Sequence, residues 1–264
     1  MKILMIGDIV GDLGRRTLLR YLPELKRLFA PDVIVANGEN SASNGRGITR
    51  AITRELLAAG IDCITLGNHT WAQPEIFDFI DSEERLLRPG NFPEGTPGNS
   101  FVSLSTPKGK CTIINLMGRS FLQSIDCPFR TLDKILNQIS SNQYIFIDFH
   151  AETTSEKQSM AWYAAGRVSA IVGTHTHVQT ADERILPGGT GYISDVGMVG
   201  PYDGILGMKT DSVVRRFVTQ LPVRFEVAKG REQLNAVLIE MDVQTKRTKK
   251  LRRIRIDEDH PLIS

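Results

Sequence analysis

Cysteine is scarce in this chain, and the three that occur, Cys63, Cys111 and Cys127, are odd in number and lack the close spacing of metal ligands. That argues against a disulfide-stapled fold; buried thiols in a reducing cytoplasm fit better, and Cys63 and Cys111 lie beside apolar, strand-like residues. Long hydrophobic runs are also missing, and no stretch approaches membrane-spanning length. The first apolar run, Met1 to Ile6, is cut by Gly7-Asp8, too early for a signal peptide, so the expectation is a soluble cytoplasmic protein with no membrane partner. No repeat period and no clear linker interrupt the 264 residues, which predicts a single domain over 1–264 with a large core. Neither sign of charge dominates. The formal net charge is +2, but seven of the ten residues Lys246 to Arg255 are basic, leaving 25 basic against 30 acidic residues elsewhere. The body is mildly acidic and its tail carries the excess.

Histidine is rare too, with five in the chain, and four of the five end apolar runs. Val168-Ser169-Ala170-Ile171-Val172 leads into Gly173-Thr174-His175-Thr176-His177, where a buried strand would stop and a loop begin. In an extended segment alternate residues point the same way, so His175 and His177 suit one metal ion or two neighbouring ones. The blander reading is a pair of loop histidines hydrogen-bonding backbone groups. The other runs weigh against it. Ile3 to Ile6 delivers Gly7-Asp8, Val33 to Ala36 delivers Asn37-Gly38-Glu39-Asn40, Ile61 to Leu66 delivers Gly67-Asn68-His69, and Tyr144 to Phe149 delivers His150.

Between these runs the spacing predicts helices over Leu13 to Phe29, from an N-cap at Thr49 to Ala59, over Pro74 to Asp81, weakly over Leu132 to Ile139, from a Ser155 cap to Ala165, and from Asp211 to Val218. Further strands are expected at Phe101 to Leu104 and Cys111 to Leu116. Thr190 to Gly207, glycine-rich around Asp195-Val196-Gly197-Met198, reads as a loop, one use of which would be to cover the rim. Leu234 to Met241 and Leu251 to Ile256, around a turn at Thr245 to Thr248, predict a terminal hairpin. Alternating strands and helices imply an α/β fold with a substantially parallel sheet, whose ligands bind beyond the carboxyl ends of strands. Asp8, Glu39, Asn68, His150, His175 and His177 would converge there. So many oxygen and nitrogen donors exceed the needs of one tetrahedral ion, which makes two metals the economical reading, and with no thiolate on the rim the candidates are iron, manganese and zinc.

The order Asp8, Gly38-Glu39-Asn40, Gly67-Asn68-His69, His150, His175-Thr176-His177 resembles the calcineurin-like metallophosphoesterases. Gly7-Asp8-Ile9-Val10-Gly11, Ala36-Asn37-Gly38-Glu39-Asn40, Leu66-Gly67-Asn68-His69-Thr70-Trp71 and Asp195-Val196-Gly197-Met198 are similar to their bacterial YmdB-type branch, over Met1 to about Phe217. The resemblance implies a metallophosphoesterase sandwich with a dinuclear site at the carboxyl ends of its strands. Val10 stands where the superfamily usually has a histidine ligand, and in the YmdB-type branch Asn40 replaces it. The implied first ion is held by Asp8, Glu39, Asn40 and His177, the second by Glu39, Asn68, His150 and His175, the ions being iron with manganese as a substitute. The implied reaction is hydrolysis of a cyclic nucleotide, foremost a 2′,3′-cyclic ribonucleotide, by a metal-bridging hydroxide, with His69 as general acid. Thr70 departs from the acidic residue common at its position, which puts the orientation of His69 in question.

Two competing readings keep the metals. One is a phosphatase or nuclease working on a larger substrate; the other is a regulatory or RNA-binding protein. Residues Lys246 to Arg255 would attract RNA phosphates without sequence preference, although a solvated hairpin face explains them better. Assembly into a homo-oligomer is left open.

Overall fold

A computed structural model describes residues 1–262. In chain order its elements are β1 (Lys2–Ile6), β2 (Asp8–Ile9), α1 (Gly11–Phe29), β3 (Val33–Asn37), α2 (Arg50–Ala59), β4 (Cys63–Thr65), β5 (Leu86–Leu87), β6 (Phe101–Thr106), β7 (Gly109–Met117), α3 (Pro128–Leu136), β8 (Tyr144–His150), α4 (Thr154–Ala164), β9 (Ala170–Thr174), β10 (Arg184–Leu186), β11 (Thr190–Ile193), β12 (Met198–Pro201), α5 (Thr210–Thr219), β13 (Glu232–Met241) and β14 (Thr248–Ile256).

The strands build two sheets, as the resemblance to a metallophosphoesterase sandwich implies and as the alternation of strands and helices alone does not. The first runs β2-β12-β13-β1-β3-β4-β5 with β14 on the far edge of β13, and the second runs β10-β11-β9-β8-β7-β6. Each keeps a parallel centre, β1-β3-β4-β5 in one and β7-β8-β9-β11 in the other, flanked by antiparallel pairs. The period-2 geometry of a strand explains why both faces of β1 are apolar. Ile3 and Met5 face the second sheet, packing with Val35, Ile113, Phe146 and Val172, while Leu4 and Ile6 pack under α1 and α2 with Leu18, Leu22 and Leu56. A third cluster, including Phe149, Met160 and Tyr192, fills the space beneath α3 and α4. The result is a helix-sheet-sheet-helix sandwich.

Local chemistry accounts for most boundaries. Thr49 caps α2 by accepting from the Ile52 amide, and Gly60 ends it in the left-handed region at φ 97°. Thr153, rather than Ser155, caps α4 by accepting from the Glu156 amide. The helix expected over Pro74 to Asp81 is instead two 3-10 segments, Pro74–Asp78 and Ile80–Ser82. The stacking of Trp71 on Phe77 holds a tighter turn there. Thr190 to Gly207 is not simply a loop, because Thr190–Ile193 joins the second sheet and Met198–Pro201 the first. Strands of four residues broken by Gly197 carry too little alternation to be legible.

The terminal hairpin is as expected in kind and longer in extent. Its strand β13 gives one edge to β14 and the other to β1 and then β12. Of its basic residues, Lys249, Arg253 and Arg255 are met by Asp242, Glu183 and Asp257. Among the described residues no helix is long and apolar enough to cross a membrane.

Candidate metal centre

The parallel strands β1, β3 and β4 of one sheet and β8 and β9 of the other end at a common rim, and every expected donor arrives there on the residues that follow, or in the case of His150 end, a strand. Asp8, Glu39, Asn40 and His150 are buried, while Asn68, His69, His175 and His177 are half-buried at the mouth. Close approach is possible because Gly67 has no side chain; a Cβ there would stand 2.3 Å from the His150 ring and 2.5 Å from Glu39 Oε2.

Around His150 Nε2 stand Glu39 Oε1 at 3.1 Å, Asn68 Oδ1 at 3.0 Å and His175 Nδ1 at 3.1 Å. The surroundings fix the role of each atom. Thr174 Oγ1 donates to Asp148 Oδ1 at 2.8 Å, so it accepts from His150 Nδ1 at 2.9 Å and leaves Nε2 toward the cluster. His175 Nε2 donates to Glu152 Oε2 at 2.8 Å, which turns the lone pair of Nδ1 inward. The Asn68 amide nitrogen meets His69 Nδ1 at 2.9 Å, which turns its carbonyl inward. Four electron-pair donors thus crowd together with at most one hydrogen among them. Adjacent ligands of an ion bound at about 2.1 Å stand about 3 Å apart, so the arrangement fits a cation.

A second group adjoins it. His177 Nδ1 donates to the Leu206 carbonyl at 3.0 Å, leaving the lone pair of Nε2 on the side of Asp8, whose Oδ1 is 3.9 Å away. That oxygen and Asn40 Oδ1 are both buried, and neither accepts a hydrogen bond. Orphaned acceptors of this kind are rare in native proteins, and a cation between them would satisfy both.

The charges agree. Burial pushes the Asp8 carboxyl up to about 7, since two nearby histidines only partly offset its desolvation. For Glu39 burial acts in the same direction, but the charge and hydrogen bond of His150 outweigh it and hold the carboxyl well below its usual range. His150, whose desolvation is likewise overcome by Glu39, is raised to about 9, whereas burial and the neighbouring His150 press His175 down to about 3. Glu39 therefore stays ionised and His175 neutral, the forms in which each can ligate a cation.

The histidine loop is held under strain. His175 and His177 have φ of 98° and 63°, in the left-handed region that costs non-glycine residues roughly 1–3 kcal/mol each. Thr176 between them is pinned through its amide, at 3.0 Å, and its hydroxyl, at 2.7 Å, both donating to Asp195 Oδ2. Asp195 is itself paired at 2.6 Å with Lys157, a lysine only 2% exposed. The Asp195-Val196-Gly197-Met198 motif thus supports the loop from beneath rather than covering it.

Sequence reasoning did not find these supports. Asp148, fully buried, accepts from Thr65 at 2.5 Å, Thr174 and Asn37 and stands behind His150. Both Asp148 and Glu152 lie two residues from His150, so the alternation of a strand and its exit was the available signal. Thr70 is buried and donates to the Gly67 carbonyl, so Asn68 rather than Thr70 orients His69. A cavity of about 580 Å³ opens from the donors, lined also by Arg46, His69, Leu206, Met208, Phe217 and Phe225.

The paired sheets with donors at their common rim define the calcineurin-like phosphoesterase fold, and a Bacillus subtilis calcineurin-like phosphoesterase, YfkN, shares it at TM-score 0.54 and 11% identity over 97% of this chain and 90% of that one. Within that class, residues 4–254 match the family described as YmdB-like protein, to which the chain belongs. It is 53% identical over 261 residues, 98% of each chain, to the 2′,3′-cyclic-nucleotide 2′-phosphodiesterase of Bacillus subtilis. A crystal structure described as a novel phosphatase of Mycoplasma pneumoniae superposes at TM-score 0.92 with 36% identity, covering 99% of this chain and 95% of that one.

Proposed function

We propose that the chain hydrolyses 2′,3′-cyclic ribonucleotides to 3′-monophosphates, using two divalent cations. The observation that carries this reading is the crowding of Glu39, Asn68, His150 and His175 donors beside the orphaned oxygens of Asp8 and Asn40. The Bacillus subtilis relative, matched along nearly its whole length, supplies the substrate class. Asp8, Glu39, Asn40 and His177 hold the first ion, and Glu39, Asn68, His150 and His175 the second, with iron as the resident metal and manganese as a substitute. Bound cations of this kind activate water for in-line attack and neutralise phosphate oxygens.

The remaining work falls to side chains. Attack opens the P–O2′ bond, and the departing ribose oxygen needs a proton. His69 lines the cleft, and the contact between Asn68 and its Nδ1 leaves a hydrogen on Nε2 to meet that oxygen. Burial lowers the pKa of the ring and so favours this neutral tautomer, whose Nε2 hydrogen is the one offered to the departing oxygen. Asn68 therefore serves both the second ion and the acid. A cavity of mononucleotide scale and the carboxylates that pair with Lys249, Arg253 and Arg255 of the hairpin favour a small substrate over RNA.

The test is turnover of 2′,3′- and 3′,5′-cyclic nucleotides by protein reconstituted with iron or manganese, with metal content measured alongside. Two equivalents of metal and preferential 2′,3′ hydrolysis are expected, and His69→Ala should keep both ions yet lose at least about 100-fold in turnover. Unchanged hydrolysis by that variant would remove His69 from the mechanism; a single tightly held ion would remove the dinuclear assignment.

A further inference from the structure

The cleft that holds the donors is also lined by a run of apolar side chains, although it opens to water. The turn carrying Ile205, Leu206 and Met208 and the helix α5, through Val213 and Phe217, form this wall together with Phe225. Val213 and Phe217 are four residues apart and so share a helix face. Phe217 is 73% exposed, which is unusual for an aromatic ring beside a polar centre. The wall is fixed to the donors, because the Leu206 carbonyl accepts from His177 Nδ1 and the turn closes on itself through the Ile205 and Met208 amides and carbonyls.

We propose that this wall is a nucleobase subsite that binds a base by its face. The inference rests on the reading of the centre as a cyclic-nucleotide phosphodiesterase and names where the rest of that substrate lies. A phosphate held at the donors leaves its ribose and base to occupy the same cavity, whose apolar lining offers two aromatic rings and four other apolar side chains for stacking. The polar side chains at the wall are turned onto the helix's own end. Arg216 Nη1 donates to the Gln220 carbonyl, and Gln220 Nε2 donates to the Phe217 carbonyl at 3.0 Å. A base edge therefore meets few donors there, and because every base has a π-face, recognition by stacking tolerates all four.

The experiment compares wild type with Phe217→Ala and Phe225→Ala, each loaded with manganese, on 2′,3′-cyclic AMP, 2′,3′-cyclic CMP and the base-less ribose 2′,3′-cyclic phosphate. Calorimetric binding of 3′-AMP and ribose 3-phosphate is measured in parallel. Wild type is expected to bind 3′-AMP about tenfold or more tighter than ribose 3-phosphate, and Phe217→Ala to close most of that gap. In turnover the same variant should raise KM for both nucleotides about tenfold, keep kcat, and leave the base-less substrate unchanged. The exposed position of Phe217 makes misfolding of that variant unlike the expected result, and Phe225→Ala checks the wall from a second side. Equal affinity of wild type for 3′-AMP and ribose 3-phosphate would overturn the subsite, as would a Phe217→Ala variant that keeps its nucleotide KM but changes from oligomer to monomer in solution. If wild type cleaves none of the three substrates yet shows the binding gap, the phosphodiesterase reading fails while the subsite stands.

Discussion

At the scale of single residues, the donor geometry makes sharp demands. Asp8→Asn replaces a carboxylate by a neutral amide of similar size at a buried oxygen that accepts no hydrogen bond, so the expected outcome is a fall from two equivalents of bound metal to one with the fold retained. Metal analysis of the purified variant, alongside circular dichroism, checks it; two tightly held equivalents would break the assignment. Gly67→Ala is predicted to empty the centre more thoroughly, because its Cβ would press on His150 and Glu39 together. The thiols give an independent check on burial. Desolvation raises Cys63 well above the ordinary thiol range and Cys111 to about 12, so in the native protein maleimide should modify the half-buried Cys127 first and reach the other two only on unfolding. The proposed donors could be placed at one rim from the sequence because each follows an apolar run, a pattern that backbone geometry forces on residues at strand ends. Glu152, Asp148, Phe217 and Phe225 were not, since their roles depend on which distant atoms they face.

Among the elements, the histidine loop and its support behave as one device. Two left-handed histidines persist because Asp195 and Lys157 hold the residue between them. Lys157→Met leaves the Asp195 carboxylate buried without its cation, and a loss of about 3–5 kcal/mol in unfolding free energy is expected. Thr176→Val is the milder variant, removing one hydroxyl bond to Asp195, and should lower stability by about 1 kcal/mol while weakening manganese binding measurably in a calorimetric titration. Destabilisation without any change in metal affinity would show that the pair supports the fold alone. The motif containing Asp195 was visible in the sequence, but its purpose was not. A carboxylate that anchors a loop and one that ligates an ion look alike until the partner is seen, and the short strands on either side of Gly197 gave no periodicity to separate them. The segment Pro74–Ser82 shows the converse limit, where helical spacing was present but the packing of Trp71 on Phe77, invisible in the spacing, holds tighter 3-10 turns.

Across the whole molecule, the α/β class and the convergence at strand ends could be read from alternation, whereas the division into two sheets could not. Apolar runs state that a strand is buried on both faces without stating what covers them. The structure answers with a shared apolar layer between the sheets and a further core beneath each set of helices. We expect the chain to unfold in one cooperative step, with circular dichroism and tryptophan fluorescence tracing coincident urea transitions; separated midpoints would argue for independent units.

Strand β13, formed from residues 232–241, lies inside the first sheet between β14 on one edge and β1 and β12 on the other, and β12 in turn pairs with the short strand that begins at Asp8. The strand of Asp8, the proposed ligand read first by the ribosome, therefore lies at the sheet's edge against β12, which is translated long after it. A nascent polypeptide can display Asp8, Glu39 and Asn68 before β12 and β13 exist to support them, so a competent centre awaits the synthesis of those strands. Metal capture would accordingly follow the arrival of β13.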